Sequence, residues 1–158
     1  MEAKQLKTKE IWGEIDKLVE GWLKERQSLI LLLCAVDGLR EYTPRRTPVG
    51  IKIQAFCEVL MDYVSAGHFE VYEKLCQEGE VFGDDIAALT DSLYPKINVS
   101  TETALWFNDK YQTVDDCEQN LTELSRDMSI MAEQLSERFD LEDQLINTLH
   151  LSHRDLVA

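Results

Sequence analysis

The sequence predicts an all-α fold, an antiparallel four-helix bundle, on three observations. Apolar residues recur at helical spacing along four long stretches. Seven glycines and three prolines in 158 residues are too few punctuators for a many-stranded sheet. The joining segments are short, which sets consecutive helices side by side and antiparallel. A single domain over 1-158 is expected, with helices at roughly 8-36, 49-77, 84-112 and 115-150 and no internal repeat.

Helix one starts near Thr8 and is closed by Asp37-Gly38. Ile15, Leu18, Trp22, Leu29, Leu32 and Val36 keep heptad-like spacing, with Val19 and Leu33 as an alternate seam. In either register a charge falls between Trp22 and Leu29: Glu25 in the first, Arg26 in the second. Gly21 stands mid-helix, where glycine costs about 1 kcal/mol relative to alanine. Residues 37-48, DGLREYTPRRTP, read as a solvated loop carrying Arg40, Arg45 and Arg46.

Helix two is closed by Glu78-Gly79 and loosened near Ala66-Gly67. Helix three starts after Gly83 with Asp84 or Asp85 as cap, and Pro95 kinks or breaks it near Leu93-Tyr94. Helix four carries Leu121, Leu124, Met128, Met131, Leu135, Leu145 and Leu149 in 3-4 alternation. The same alternation reaches Arg138 and Glu142, so the interior is expected to hold paired charge there. The final HRDLVA reads as a fraying end.

Net charge is −14, from 30 acids against 16 bases. Nucleic acid and anionic membranes carry the same sign and are poor direct partners; a basic protein surface suits better. The N-terminal MEAKQLKTKEIW has no apolar core of a signal peptide, and Leu29 to Val36 is too short to span a bilayer. A cytoplasmic protein is expected. Cys34, Cys57, Cys76 and Cys117 form no CxxC pair and read as buried or half-buried thiols.

No catalytic residue, cofactor or metal is expected. A di-iron bundle needs Glu-x-x-His motifs, and none of His68, His150 and His153 has a glutamate three residues before it. A Cys-His pair using Cys57 or Cys76 with His68 lacks any accompanying oxyanion turn. Arg26, His68, Arg138 and Glu142 instead read as a structural polar layer whose members satisfy one another, since buried charges must pair.

The most telling stretch is MDYVSAGHFEVYEKL, residues 61-75. At about 100° per residue, Leu60, Val64, Val71 and Leu75 share a core stripe. Asp62, Ser65 and Phe69 fall opposite, bordered by Glu58, Ala66, Glu73 and Cys76. An aromatic on the face away from the core reads as an interface anchor, or else as cover for a neighbouring helix.

The run FCEVLMDYVSAGHFEVYEKL, with GWLKERQSLILLLCA and ERFDLEDQLI in the same order, resembles the Rsd/AlgQ family of bacterial anti-sigma factors. The resemblance implies a helical bundle that binds the C-terminal, promoter-recognising domain of the housekeeping, sigma-70-class sigma factor. Such binding withdraws the sigma factor from RNA polymerase and favours alternative sigma factors in stationary phase. Asp62, Ser65 and Phe69 stand where the family has its sigma-contacting residues; Trp22, Arg26, His68 and Glu142 also match and are carried over as structural. Some members bind a sugar-phosphotransferase carrier protein, a second partner class. The alternatives are an adaptor acting on an enzyme or carrier in carbon or stress signalling, and a metal- or small-molecule-binding bundle.

Overall fold

The computed structural model describes residues 2–37 and 49–158, and every element among them is helical. The basic segment with Arg40, Arg45 and Arg46 lies outside the described residues. Helix α1 covers Glu2–Asp37, so helix begins before Thr8. Its buried residues Ile15, Val19, Trp22, Leu29 and Val36 draw on both seams that the periodicity allowed, and the inward charge between Trp22 and Leu29 is Arg26, not the exposed Glu25.

The second long rod has three parts: α2 (Val49–Ala66), a π-helical turn (Gly67–Val71) and α3 (Tyr72–Phe82). It ends at Gly83, whose φ of 81° is the left-handed conformation glycine adopts without strain; Asp84 N–H then donates to Gly79 O at 2.9 Å. Helix α4, Ile86–Lys110, is capped by the Asp85 carboxylate accepting from the Ala88 N–H. Of the kink or break expected near Leu93-Tyr94, a break does not occur: the helix runs through Pro95. Pro95 and Asp91 are both exposed, so the carbonyl that loses its N–H partner faces solvent.

The expected fourth helix is two. Short α5 (Val114–Gln119) opens with a Thr113/Asp116 capping box, and α6 runs Leu121–Leu149. At the joint the Asn120 side chain donates to Asp116 O at 2.8 Å, a local bond that competes with helix continuation. The chain end also departs from expectation. A 3-10 turn (Leu151–His153) and α7 (Arg154–Val157) follow α6, and His150 and His153 are buried.

Cross-helix contacts fix an up-down-up-down order. Trp22 donates to Tyr63 O at 3.2 Å, and Gln54 to Gln112 O at 3.0 Å. Lys110 reaches Asp127 at 2.7 Å, and Arg26 reaches Asp143 at 2.6 Å. The core between the rods includes Phe56 edge-on to Phe107 and Trp22 stacked on Tyr63 with ring centroids 4.7 Å apart. No helix among the described residues is long and apolar enough to cross a membrane.

Candidate functional site

One continuous strip of the second rod is left uncovered. Glu58, Asp62, Ser65, Phe69 and Glu73 are all exposed, and Phe69 is 82% exposed. The opposite stripe of Leu60, Val64, Val71 and Leu75 is buried. Among the described residues, therefore, no neighbouring helix covers Phe69. Helix α1 adds Glu25. Partial burial, then the nearby carboxylates of Asp62 and Glu70, push Glu25 above the ordinary carboxylate range. Acids from two rods thus share one field around the π-turn. Between them lies a groove of about 260 Å³ lined by Leu18, Gly21, Trp22, Glu25, Ala66 and Glu70. Gly21, unexplained by sequence, is part of this groove, and a Cβ there would meet nothing within 4 Å.

Beneath the strip is a buried polar layer. Arg138 and Glu142 are wholly buried and their Nε and Oε2 lie 3.2 Å apart. Tyr63 donates to Glu142 Oε1 and Tyr72 to Oε2. Each tyrosine oxygen in turn accepts from an arginine at 2.9 Å: Tyr63 from Arg26 Nε, Tyr72 from Arg138 Nη2. Arg26 also approaches Glu142 Oε1 at 3.4 Å and lies over the Phe139 ring. Burial pushes the Glu142 carboxyl upward against the pull of Arg138, both tyrosine hydroxyls and Arg26. Burial, then the Glu142 charge, also raises both tyrosines, which keeps them as donors. Hydroxyls and guanidiniums face both carboxylate oxygens, so the geometry is that of an ionised glutamate.

His68 differs from its expected place. Its Nε2 lies 2.7 Å from Thr101 Oγ1, and it does not bond Glu142; Thr101 accepts from Arg138 Nη1 at 2.7 Å. The histidine meets the layer through a hydroxyl, at the layer's edge. Burial, then the Arg138 charge, lowers its pKa, so it is neutral at pH 7.

The π-turn ties layer and strip together. A Cβ on Gly67 would lie 3.2 Å from Trp22 Cζ2 and 3.2 Å from the Tyr72 Cζ and hydroxyl. Trp22 is fixed by its bond to Tyr63 O, and Tyr72 by Glu142 and Arg138. Neither ring has free room to retreat. Gly67→Ala is expected to destabilise by about 1–3 kcal/mol in denaturant titration, as overpacking does. The opposite sign, a gain of about 1 kcal/mol from alanine's helix propensity, would show that the rings yield.

Burial, then Cys117 and Glu58, pushes the Cys57 thiol up to about 12. Burial, then Asp116, pushes Cys117 to about 11. Cys76 faces the Tyr94 hydroxyl at 3.4 Å, away from His68's bond to Thr101. Cys34 is exposed, against the expectation of a buried thiol. Among the described residues no group of three or more His, Cys, Asp and Glu side chains could hold a metal ion.

The family described as regulator of RNA polymerase sigma(70) subunit, Rsd/AlgQ, matches residues 1–150. The chain belongs to the Rsd/AlgQ family. The regulator of sigma D of Yersinia pseudotuberculosis (serotype O:1b, strain IP 31758) is 34% identical over 135 residues, covering 85% of this chain and 80% of that protein. The Yersinia enterocolitica protein of the same name is also 34% identical, over 85% of this chain and 81% of its own length. The Pectobacterium carotovorum protein is 28% identical, covering 87% and 91%. No solved structure matches.

In this Rsd/AlgQ chain the residues that sequence reasoning missed are Tyr63, Tyr72, Thr101 and Asp143 in the layer, and Glu25 and Glu70 beside the strip. Two tyrosines on a core-facing helix are a usable signal, because a buried phenol needs a hydrogen-bond partner.

Proposed function

We propose that this chain is a cytoplasmic anti-sigma regulator. It captures the C-terminal, promoter-recognising domain of the housekeeping sigma factor through Phe69, with Asp62 and Ser65 as the polar edge of the contact. Capture withdraws the sigma factor from RNA polymerase and favours alternative sigma factors, as stationary phase requires. The observation that carries the reading is Phe69, 82% exposed on a π-turn amid Asp62, Glu70 and Glu25. A promoter-binding helix-turn-helix domain is basic where it meets phosphate. An acidic surface with one aromatic anchor competes for such a domain without imitating DNA.

The test is binding of the intact protein to the isolated C-terminal sigma domain, followed in real time. Stoichiometric capture is expected, with an association rate that falls as salt rises while dissociation changes less. A salt-independent association rate would reject electrostatic steering, and no capture at micromolar concentration would reject the proposed partner.

A further inference from the structure

The second buried polar cluster lies at the far end of α3 and takes no part in the partner face. His150 is fully buried, with Nδ1 2.6 Å from Glu78 Oε1 and Nε2 2.8 Å from Asp16 Oδ1. The other oxygen of Glu78 lies 2.7 Å from His153 Nδ1. Glu78 is itself wholly buried, so one carboxylate grips two imidazoles. The Trp12 ring stacks on His150 at 4.5 Å and its N–H donates to His150 O; Phe82 stacks on His153 at 4.0 Å. His153 Nε2 also approaches Asp84 Oδ2 at 2.8 Å, off the line of an N–H bond. The charged groups facing the imidazoles are therefore Asp16 from α1, Glu78 from α3 and Asp84 from the turn before α4.

A neutral imidazole has one N–H and one bare lone pair. At His150 both nitrogens face carboxylate oxygens within hydrogen-bond distance, and a lone pair against a carboxylate is repulsive. With both carboxylates ionised, the ring satisfies both contacts only as imidazolium, donating twice. Beyond His153 the grip is weak in apolar terms: Leu156 is 70% exposed, and Leu6, which lines the same shallow groove, is 60% exposed.

We propose that His150 is a proton-held latch, which in its doubly protonated form ties the chain end, residues 151–158, to α1 through Asp16 and to α3 through Glu78. Loss of the proton leaves one nitrogen facing a carboxylate unpaired and releases the tail while the four rods stay folded.

The direction follows from linkage. Burial alone lowers the His150 pKa, and the bonds to Glu78 and Asp16 more than reverse that, so the net shift is upward. A raised histidine holds the docked state below its ordinary value of about 6.5 and loses that contribution as pH rises through the folded value. Between those two values tail opening rises up to about tenfold per pH unit, then levels off.

Nitrogen-15 NMR of the His150 ring, with amide exchange of residues 151–158 corrected for intrinsic base catalysis, tests this in the intact wild-type protein. Expected are a midpoint above the ordinary histidine value, two protonated ring nitrogens below that midpoint, and tail opening that follows it. A midpoint at or below the ordinary value, or tail exchange flat across the titration, overturns the proposal. Asp16→Asn alters a half-exposed position on α1 and leaves the Glu78 grip. It is expected to lower the His150 midpoint and the pH of tail release together; a midpoint that moves without the release overturns the latch.

Discussion

Glu142→Leu is expected to lower the stability of the fold by about 3–5 kcal/mol, the cost of breaking a buried ion pair by removing one partner. The change strands Arg138, which has no access to solvent, and unpairs the hydroxyls of Tyr63 and Tyr72. Leucine matches some of the lost volume, so the loss is electrostatic more than a cavity effect. For a chain of this size a kilocalorie moves the melting temperature by about 2–4 °C, so a fall of about 10 °C is the observable. A second substitution, Arg138→Met, is expected to recover part of the loss, because the stranded charge goes with it. A Glu142→Leu protein that melts within a degree or two of wild type would mean the layer is not an ionised network.

Phe69→Ala is expected to weaken capture of the C-terminal sigma domain by about 30-fold or more, the range of an aromatic anchor near 2 kcal/mol. Its effect on stability should be small, since the ring is 82% exposed in the free protein. That pairing of outcomes separates an interface role from a structural one. Asp62→Ala should act more weakly and mainly on association rate, as exposed charges at a rim do. Equal capture by wild type, Phe69→Ala and Asp62→Ala would remove this strip from consideration.

The Glu142 result bears on the strip as well. Tyr72 follows directly after the π-turn and its hydroxyl is held by Glu142 and Arg138, while its ring leaves only 3.2 Å for a Cβ on Gly67, the first residue of that turn. The layer thus fixes both ends of the segment that carries Phe69.

Much of this was legible in residue order. The core stripe of Leu60, Val64, Val71 and Leu75 follows from spacing alone, as do the buried levels at Arg138 and Glu142, because burial along a helix is periodic. The two seams of α1 left Glu25 and Arg26 as rivals, and packing sent Arg26 inward toward Glu142 and Asp143. The chain end misled for a different reason. HRDLVA is polar enough to fray, yet His150 and His153 find carboxylates more than sixty residues away in sequence, and local composition carries no trace of them.

By itself, then, the sequence determined four long helical stretches, their order and a strip of Asp62, Ser65 and Phe69 turned from the core, all of which are local and periodic properties. The tertiary structure decided the polar layer's membership. Tyr63 and Tyr72 are nine residues apart, which on an unbroken α-helix is about 180°, opposite sides of the rod. The π-turn at Gly67–Val71 takes up one extra residue and brings both hydroxyls to the two oxygens of Glu142. At that turn Trp22 of another helix packs over Gly67, a residue without a side chain, and no periodicity within the second rod encodes that contact.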